Sequence, residues 1–250
     1  MTRPTILVSN DDGYGTQGIM ALVDALQDIG DVWVVAPATE QSAVSSSLSL
    51  RTPVRLRQVA PQHYTVSGTP ADSVYMGLHE VLPRRPDLCI TGVNHGANLG
   101  DDVLYSDTVA AAIEATLVGI PSLAVSLASY DKDVRYDIAA LAAAKLAQHM
   151  RANRLGRGVL LNLNVPKRAQ VETPIRVTKL GRRNYAKQVS TQRDPRGGSY
   201  SWIGGDVLLA DDMPGSDCNA IARGELSLTP ISLDMTHYKS MAQLRQWLEP

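Results

Sequence analysis

Two adjacent carboxylates on a glycine turn are the first chemically suggestive feature of this chain. Asn10-Asp11-Asp12-Gly13 follows directly on the apolar run Thr5–Ser9. Two such charges at the end of a strand are costly unless a cation neutralises them. In a turn both side chains reach one hard cation, whereas along a regular strand they would diverge. Further on, residues 37–43 carry Ser42 after a second apolar run. The stretch Asn94-His95-Gly96-Ala97-Asn98-Leu99-Gly100-Asp101-Asp102 follows another such run and precedes Tyr105-Ser106-Asp107-Thr108. Asp11, Asp12, the Ser42 hydroxyl and the Asn94 amide oxygen make an oxygen-only donor set, which suits Mg²⁺ or Mn²⁺ with water completing the shell. Gly96 and Gly100 let backbone N–H groups wrap an anion, and a helix beginning near Ser106 points its positive end there. A cation beside an anion-binding helix start is the arrangement of phosphate-ester chemistry. Each part alone has a plainer reading, as a solvated turn, a helix cap or an ordinary glycine-containing connection. His95 lies in the same loop, as a proton donor or simply a hydrogen-bonded surface side chain. His63, His79, His149 and His237 have no partner at metal-ligand spacing and read as structural.

These groups work together only if strand ends bring them together. Residues 5–9 are a continuous β-type run. Residues 18–29 place Ile19, Leu22, Val23, Leu26 and Ile29 at a helical period, and residues 31–36 are a second buried strand closed by Pro37. Residues 48–67 read as extended or hairpin structure from the alternation of Val54 and Leu56, then Tyr64 and Val66. Gly68-Thr69-Pro70-Ala71-Asp72 is a helix start, with Thr69 as N-cap and Pro70 at the first helical position, and that helix is expected to run to about residue 82. Strands over 87–93, 122–126 and 159–164 then alternate with helices over 107–118 and 136–150. This order predicts βαβ units and a mainly parallel, doubly wound α/β sheet with helices on both faces. Ligands of such sheets bind at the carboxyl ends of the strands, which is where every residue named above falls.

Composition narrows the class. Of 250 residues 44% are hydrophobic and 20% charged, an ordinary globular balance. Lys plus Arg number 24 against 25 Asp plus Glu, so a whole-surface nucleic-acid or membrane binder is not expected. No run approaches the length of a membrane span. The two cysteines, Cys89 and Cys218, have no metal spacing, and Cys89 reads as a small buried hydrophobe. A reduced, cytoplasmic, soluble protein is expected. Phe is absent, so aliphatic side chains, Tyr and Trp must fill the core.

After Pro166 the texture changes. Residues 1–170 read as a catalytic core and residues 171–250 as an extension, with β-type segments at 175–180 and 200–203, a late strand over 226–231 and a short helix over 241–248. Lys179, Arg182, Arg183, Lys187, Arg193 and Arg196 form a basic stretch opposed only by Asp194. Asp206, Asp211, Asp212 and Asp217 follow as an acidic one. A glycine-rich, mixed-charge arm of this kind packs on the core or on a second subunit; its basic stretch either pairs with acidic surface there or attracts phosphate chains.

Several motifs, in order, carry a family resemblance. Ser9-Asn10-Asp11-Asp12-Gly13 with Gly18-Ile19 resembles the opening signature of the survival protein E (SurE) nucleotidases. So, in turn, do Pro37 through Ser42, Gly68-Thr69-Pro70-Ala71-Asp72, Gly92-Val93-Asn94 through Asp102, Ser106-Asp107-Thr108-Val109-Ala110-Ala111, Leu163-Asn164-Val165-Pro166, Asp194-Pro195-Arg196-Gly197 and Leu226-Ser227-Leu228-Thr229-Pro230. The resemblance implies a Rossmann-like core and a divalent-metal-dependent phosphatase acting on nucleoside 5′- and 3′-monophosphates, in some members also on polyphosphate. It also implies a C-terminal arm exchanged in a homodimer, which pairs in some members into a tetramer. Its metal ligands fall on Asp11, Asp12, Ser42 and Asn94, with Asp11, Asp12 and Asn94 at the catalytic centre. Its phosphate-side loop corresponds to Gly96, Asn98, Ser106 and Thr108, and Asn10 and Asp107 are expected beside them on the phosphate side. The family usually has Gly where this chain has Asp107, and Cys where it has Ser73. Asp107 reads either as a helix first-turn acid, worth about 0.3–1 kcal/mol, or as a carboxylate intruding on the phosphate site. Two negative charges about 5 Å apart at an effective dielectric of about 20 repel by about 3 kcal/mol, roughly a hundredfold in binding.

Three rival readings remain. A phosphoaspartyl route needs a second acid two residues from the nucleophile, and here the acids are adjacent. A receiver domain needs a phosphorylatable Asp at the later strand end that carries Asn94. A metal-bound nucleotide sensor, with hydrolysis suppressed by Asp107, shares every site residue with the enzyme.

Overall fold

The computed structural model describes residues 3–41, 45–153, 155–185, 188–204 and 207–249. The strands are β1 (Thr5–Ser9), β2 (Asp31–Pro37), β3 (Leu56–Ala60), β4 (His63–Val66), β5 (Leu88–His95), β6 (Ser122–Ala128), β7 (Val159–Pro166), β8 (Ile175–Val177), β9 (Arg183–Tyr185), β10 (Gln188–Arg193), β11 (Ser199–Gly204), β12 (Val207–Ala210) and β13 (Leu226–Ser232). The helices are α1 (Gln17–Leu26), α2 (Pro70–Met76), α3 (Asp107–Leu117), α4 (Asp137–Ala152), α5 (Asp217–Ala222) and α6 (Tyr238–Leu248). A nine-stranded sheet runs in the order β3-β4-β2-β1-β5-β6-β7-β13-β8. Its six strands from β4 to β7 are parallel throughout. β3 and β13 lie antiparallel to β4 and β7, and β8 pairs parallel with β13.

The expected doubly wound α/β architecture is therefore present. All five residues of β1 are buried. Alternation along it sends Ile6 and Val8 into the core beneath α1 and α4, and Leu7 into the core beneath α2 and α3. The largest fully buried side chains are all Leu, Ile or Val, which is how a chain without Phe fills its interior. Cys89 is among the buried residues, and burial pushes its thiol up to about 12. Gly18 lets α1 approach β5: a Cβ there would lie 2.1 Å from the Val93 carbonyl oxygen.

The helix after Thr69 and helix α5 differ from the sequence expectation, and strands β9, β10 and β12 were not expected. The helix opening at Thr69 starts as predicted, with a capping box in which Thr69 Oγ1 accepts from Asp72 N at 3.0 Å and Asp72 accepts from Thr69 N at 2.9 Å. Its α-helical part ends at Met76, however, and continues as a π-helical turn, Gly77–Val81, where a poor helix former enters the run. Helix α5 was not expected, because Asp217 reads as one more member of a solvated acidic stretch.

In the fold Asp217 is fully buried and accepts from three backbone donors: Gly181 N and Cys218 N at 2.7 Å each on Oδ1, and Gly100 N at 2.8 Å on Oδ2. One carboxylate thus joins the loop after β5, the start of the C-terminal extension and α5. Of the expected strand at 175–180 only Ile175–Val177 forms, as β8; the one at 200–203 lies within β11, and β13 returns to the main sheet. The β10–β11 hairpin exposes Val189, Trp202 and Ile203, and α6 buries none of its side chains. Lys187 and Asp206 lie outside the described residues. Asp217→Ala strands three buried N–H groups and should cost about 3 kcal/mol or more, read as a lower urea midpoint with an unchanged slope. Asp217→Asn, which keeps one acceptor oxygen, should lose less.

Candidate active site

The strand order reverses at β1. From there the chain moves outward through β2 and β4, then crosses to β5 on the other side. The carboxyl ends of β1 and β5 therefore face an open crevice, and Asn10-Asp11-Asp12 and Asn94-His95 are delivered to it together. The β5–β6 register shifts between Thr91 and Asn94, so a bulge resets the direction in which Asn94 leaves the strand.

Asp11 is the most constrained group. It is buried, and its Oδ1 accepts from Thr108 Oγ1 at 2.6 Å. Burial, opposed by that hydrogen bond and reinforced by the charges of Asp12 and Asp107, raises its pKa from 3.8 to about 7. Asp12 is half-buried; its Oδ2 accepts from His95 N at 3.3 Å, and burial also raises its pKa. No Lys or Arg among the described residues forms an ion pair with either acid. Asn10 is fully buried, donating from Nδ2 to Gly13 O at 2.9 Å and to Thr16 Oγ1 at 3.1 Å, so it shapes the turn. Its Oδ1 and the Ser9 hydroxyl are buried and take no hydrogen bond among the described residues.

The second loop is built on amides. Asn94 Nδ2 donates to Gly96 O at 3.0 Å, which leaves its Oδ1 as the side-chain acceptor. Asn98 N donates to Asn164 Oδ1 at 2.9 Å and Asn98 Nδ2 to Ser126 Oγ at 2.8 Å. The Asn98 carbonyl accepts from Asn162 Nδ2 and Asn164 Nδ2, both at 2.9 Å. Sequence reasoning missed Asn162 and Ser126, and it had Asn164 only as part of a motif. Their signal was polar residues alternating with apolar ones inside runs read as strands. Ser106 caps α3, its Oγ accepting from Val109 N at 3.2 Å. Asp107 and Thr108 are buried in the first turn of that helix, whose positive end faces the crevice. His95 Nδ1 is 2.9 Å from the Tyr136 hydroxyl, at the start of α4.

The structure thus places Asn10, Asp11 and Asp12 after β1 and Asn94 near the end of the adjacent β5, with Thr108 reaching Asp11 and Gly96, Asn98, Ser106 and Asp107 on the adjoining loop and helix. Thr108 spends its hydroxyl on Asp11. Ser42 lies outside the described residues. An all-oxygen donor set, a buried acid beside a half-buried one with no Lys or Arg partner among the described residues, and an orphaned Asn10 oxygen next to them fit a hard divalent cation.

The family model of survival protein SurE matches residues 6–187. The chain belongs to the SurE family. It is 47% identical over 244 residues to the 5′-nucleotidase SurE of Pelobacter propionicus, covering 97% of this chain and 99% of that protein. It is 49% identical over 248 residues to the protein of the same description in Anaeromyxobacter, covering 98% and 96%. The crystal structure of the SurE protein from Aquifex aeolicus superposes with a TM-score of 0.87 at 36% identity, covering 98% of this chain and all of that one. SurE relatives therefore span both the crevice and the C-terminal extension.

A folded-state pKa near 7 against 3.8 in the unfolded chain means that folding favours the protonated Asp11. That contribution to stability is complete below about pH 4 and is lost as pH rises to about 7. The metal-free protein should therefore lose thermal stability relative to Asp11→Asn across this window. Mn²⁺ binding should tighten with pH over the same range and release protons, measured by calorimetry in two buffers of different ionisation enthalpy. A pH-independent difference in stability between the two proteins would contradict the burial assigned to Asp11.

Proposed function

We propose that this protein is a divalent-metal-dependent phosphomonoesterase that hydrolyses nucleoside 5′- and 3′-monophosphates to nucleoside and phosphate. The carrying observation is the uncompensated pair Asp11 and Asp12 at the switch point, facing Asn94 and the start of α3. Relatives described as 5′-nucleotidases along nearly the whole chain support a nucleotide substrate.

Asp11, Asp12, Asn94 and Ser42 would hold one Mg²⁺ or Mn²⁺. Bound there, the cation supplies Lewis-acid polarisation of a phosphate oxygen and a more acidic water. Thr108 donates to Asp11 and holds that carboxylate in one orientation. Asn10 fixes the turn that presents Asp11 and Asp12. Backbone and side-chain donors of the 96–108 region, Gly96, Asn98 and Ser106 among them, bind the remaining phosphate oxygens with help from the α3 dipole. With His95 Nδ1 engaged by Tyr136, Nε2 is the ring nitrogen available to carry a proton to the departing ribose oxygen. Asp107 raises the negative charge at this place, as its influence on Asp11 indicates. It acts against phosphate binding.

The reading extends to assembly. Val189 and Trp202 on the β10–β11 hairpin and Trp247 and Leu248 on α6 are exposed, and exchange of these elements in a dimer, or a tetramer of two dimers, would cover them. Arg182 beside the loop supports a weak attraction for short polyphosphate, and two buried free thiols suit a reducing cytoplasm.

Phosphate release from nucleoside monophosphates should vanish after EDTA treatment and return with Mn²⁺ or Mg²⁺, and Asp11→Asn and Asp12→Asn should each lower it by about a hundredfold or more. Nucleotide binding without turnover under any metal would leave the sensor reading in its place. Asp107→Gly should raise kcat/KM and the affinity for inorganic phosphate by up to about a hundredfold. Unchanged values in that variant would reduce Asp107 to a helix first-turn acid.

A further inference from the structure

Beside the candidate phosphate site lies a cleft of about 610 Å³ whose walls include Asn98 and Ser106, shared with that site, together with Tyr105, Tyr130, Arg183 and Ile203. Its volume is in the range of small-molecule sites. Tyr105, Tyr130 and Ile203 are 73%, 68% and 90% exposed, so three large apolar surfaces border one cavity without covering one another.

Tyr130 is held in place from below. Its ring lies over Gly96, where a Cβ would come within 2.7 Å of the ring edge, and Gly96 adopts a φ of +127° that other residues rarely take. The glycine that shapes the phosphate loop therefore also makes room for an aromatic platform at the loop's edge. Charge at the cleft selects against a second anion. Asp101 and Asp102 line it against Arg183, the one cation among the described residues of its lining, and Arg183 is already ion-paired to Asp102, with side-chain exposures of 8% and 18%. A polyphosphate tail leaving the phosphate site this way would meet Asp101, which has no ion pair among the described residues. A flat, uncharged ring with hydrogen-bonding edges meets aromatic faces and carboxylate acceptors.

We infer that this cleft takes the nucleobase of the substrate, with Tyr130 as its stacking platform and Tyr105 and Ile203 as the facing walls. The inference rests on the phosphomonoesterase reading for the place of the phosphate, though not for the binding of the base. It makes Tyr130 a specificity-determining residue: base–aromatic stacking tolerates any base but gives nothing to a sugar phosphate that lacks one. Ile203 belongs to β11, so the C-terminal extension takes part in choosing the substrate.

The test compares a nucleoside 5′-monophosphate with ribose 5-phosphate, the same ester without its base. Wild-type protein should show a lower KM for the nucleotide. Tyr130→Ala should reduce the ratio of the two KM values by about 5- to 100-fold, while Tyr130→Phe should keep it. The exposure of Tyr130 lets both variants fold. A ratio within twofold of wild type in Tyr130→Ala, or equal KM values for the two esters in wild type, overturns the inference. If wild type hydrolyses neither ester with any metal, the phosphatase reading fails by itself and the cleft is tested by adenosine alone. Titration of adenosine into metal-free protein should then give binding that Tyr130→Ala weakens by the same factor. No binding, or binding indifferent to Tyr130, overturns the inference.

Discussion

Negative charge concentrated at the end of one buried strand is the constraint that the rest of the molecule answers to. Asp11 is taken out of water beside Asp12 and Asp107, and no lysine or arginine among the described residues pairs with it. What the protein supplies instead are weaker dipoles: a hydroxyl from Thr108, a backbone N–H from His95 for Asp12, and the positive end of α3. Such groups soften the repulsion without neutralising it. A protein cation in the same place would stabilise the fold more and would compete with any external one. The site is under-neutralised, and that is the physical content of calling it a cation site.

The sheet makes this arrangement possible. Parallel strands end on one side, and reversal of strand order at β1 opens a crevice between adjacent strand ends. Hydrophobic burial on both faces of β1 then anchors the turn whose side chains repel each other. The adjoining loop is set by buried polar groups rather than apolar packing: Asn98 exchanges hydrogen bonds with Asn162 and Asn164 of β7 and donates to Ser126 of β6. An apolar core would leave that loop free to shift, whereas directional bonds set both its position and its orientation.

Much of this was legible in the residues. β1, the Thr69 cap, α3 and the late strand follow from periodicity and capping chemistry that act within a few positions, and the Asp11, Asp12 and Asn94 convergence follows from strand-end logic. What stayed hidden depends on distant partners. Asp217 looks like a surface acid until Gly100 and Gly181 are seen donating to it. Asn162 looks like an ordinary strand residue until Asn98 is seen above it. Arg183 belongs to a basic run in sequence, yet it pairs with Asp102 of the core. Thr108 was expected on the phosphate side, and the donation of its hydroxyl to Asp11 was not foreseen. Local patterning carries no information about which of several polar residues will meet across a hundred positions.

The Asp217 carboxylate also bears on how far this chain can be miniaturised. Because it grips Gly100 on one side and Gly181 on the other, the loop beside the crevice and the start of the extension form one mechanical unit. A shortened protein ending after β7 would keep Asp11, Asp12 and Asn94 in sequence. It would lose the clasp that sets Gly100, together with the β13 strand that covers the edge of β7. Engineering a compact version would therefore require a replacement acceptor for the Gly100 N–H and a new edge for the sheet. The extension is scaffolding for the crevice as much as an appendage to it.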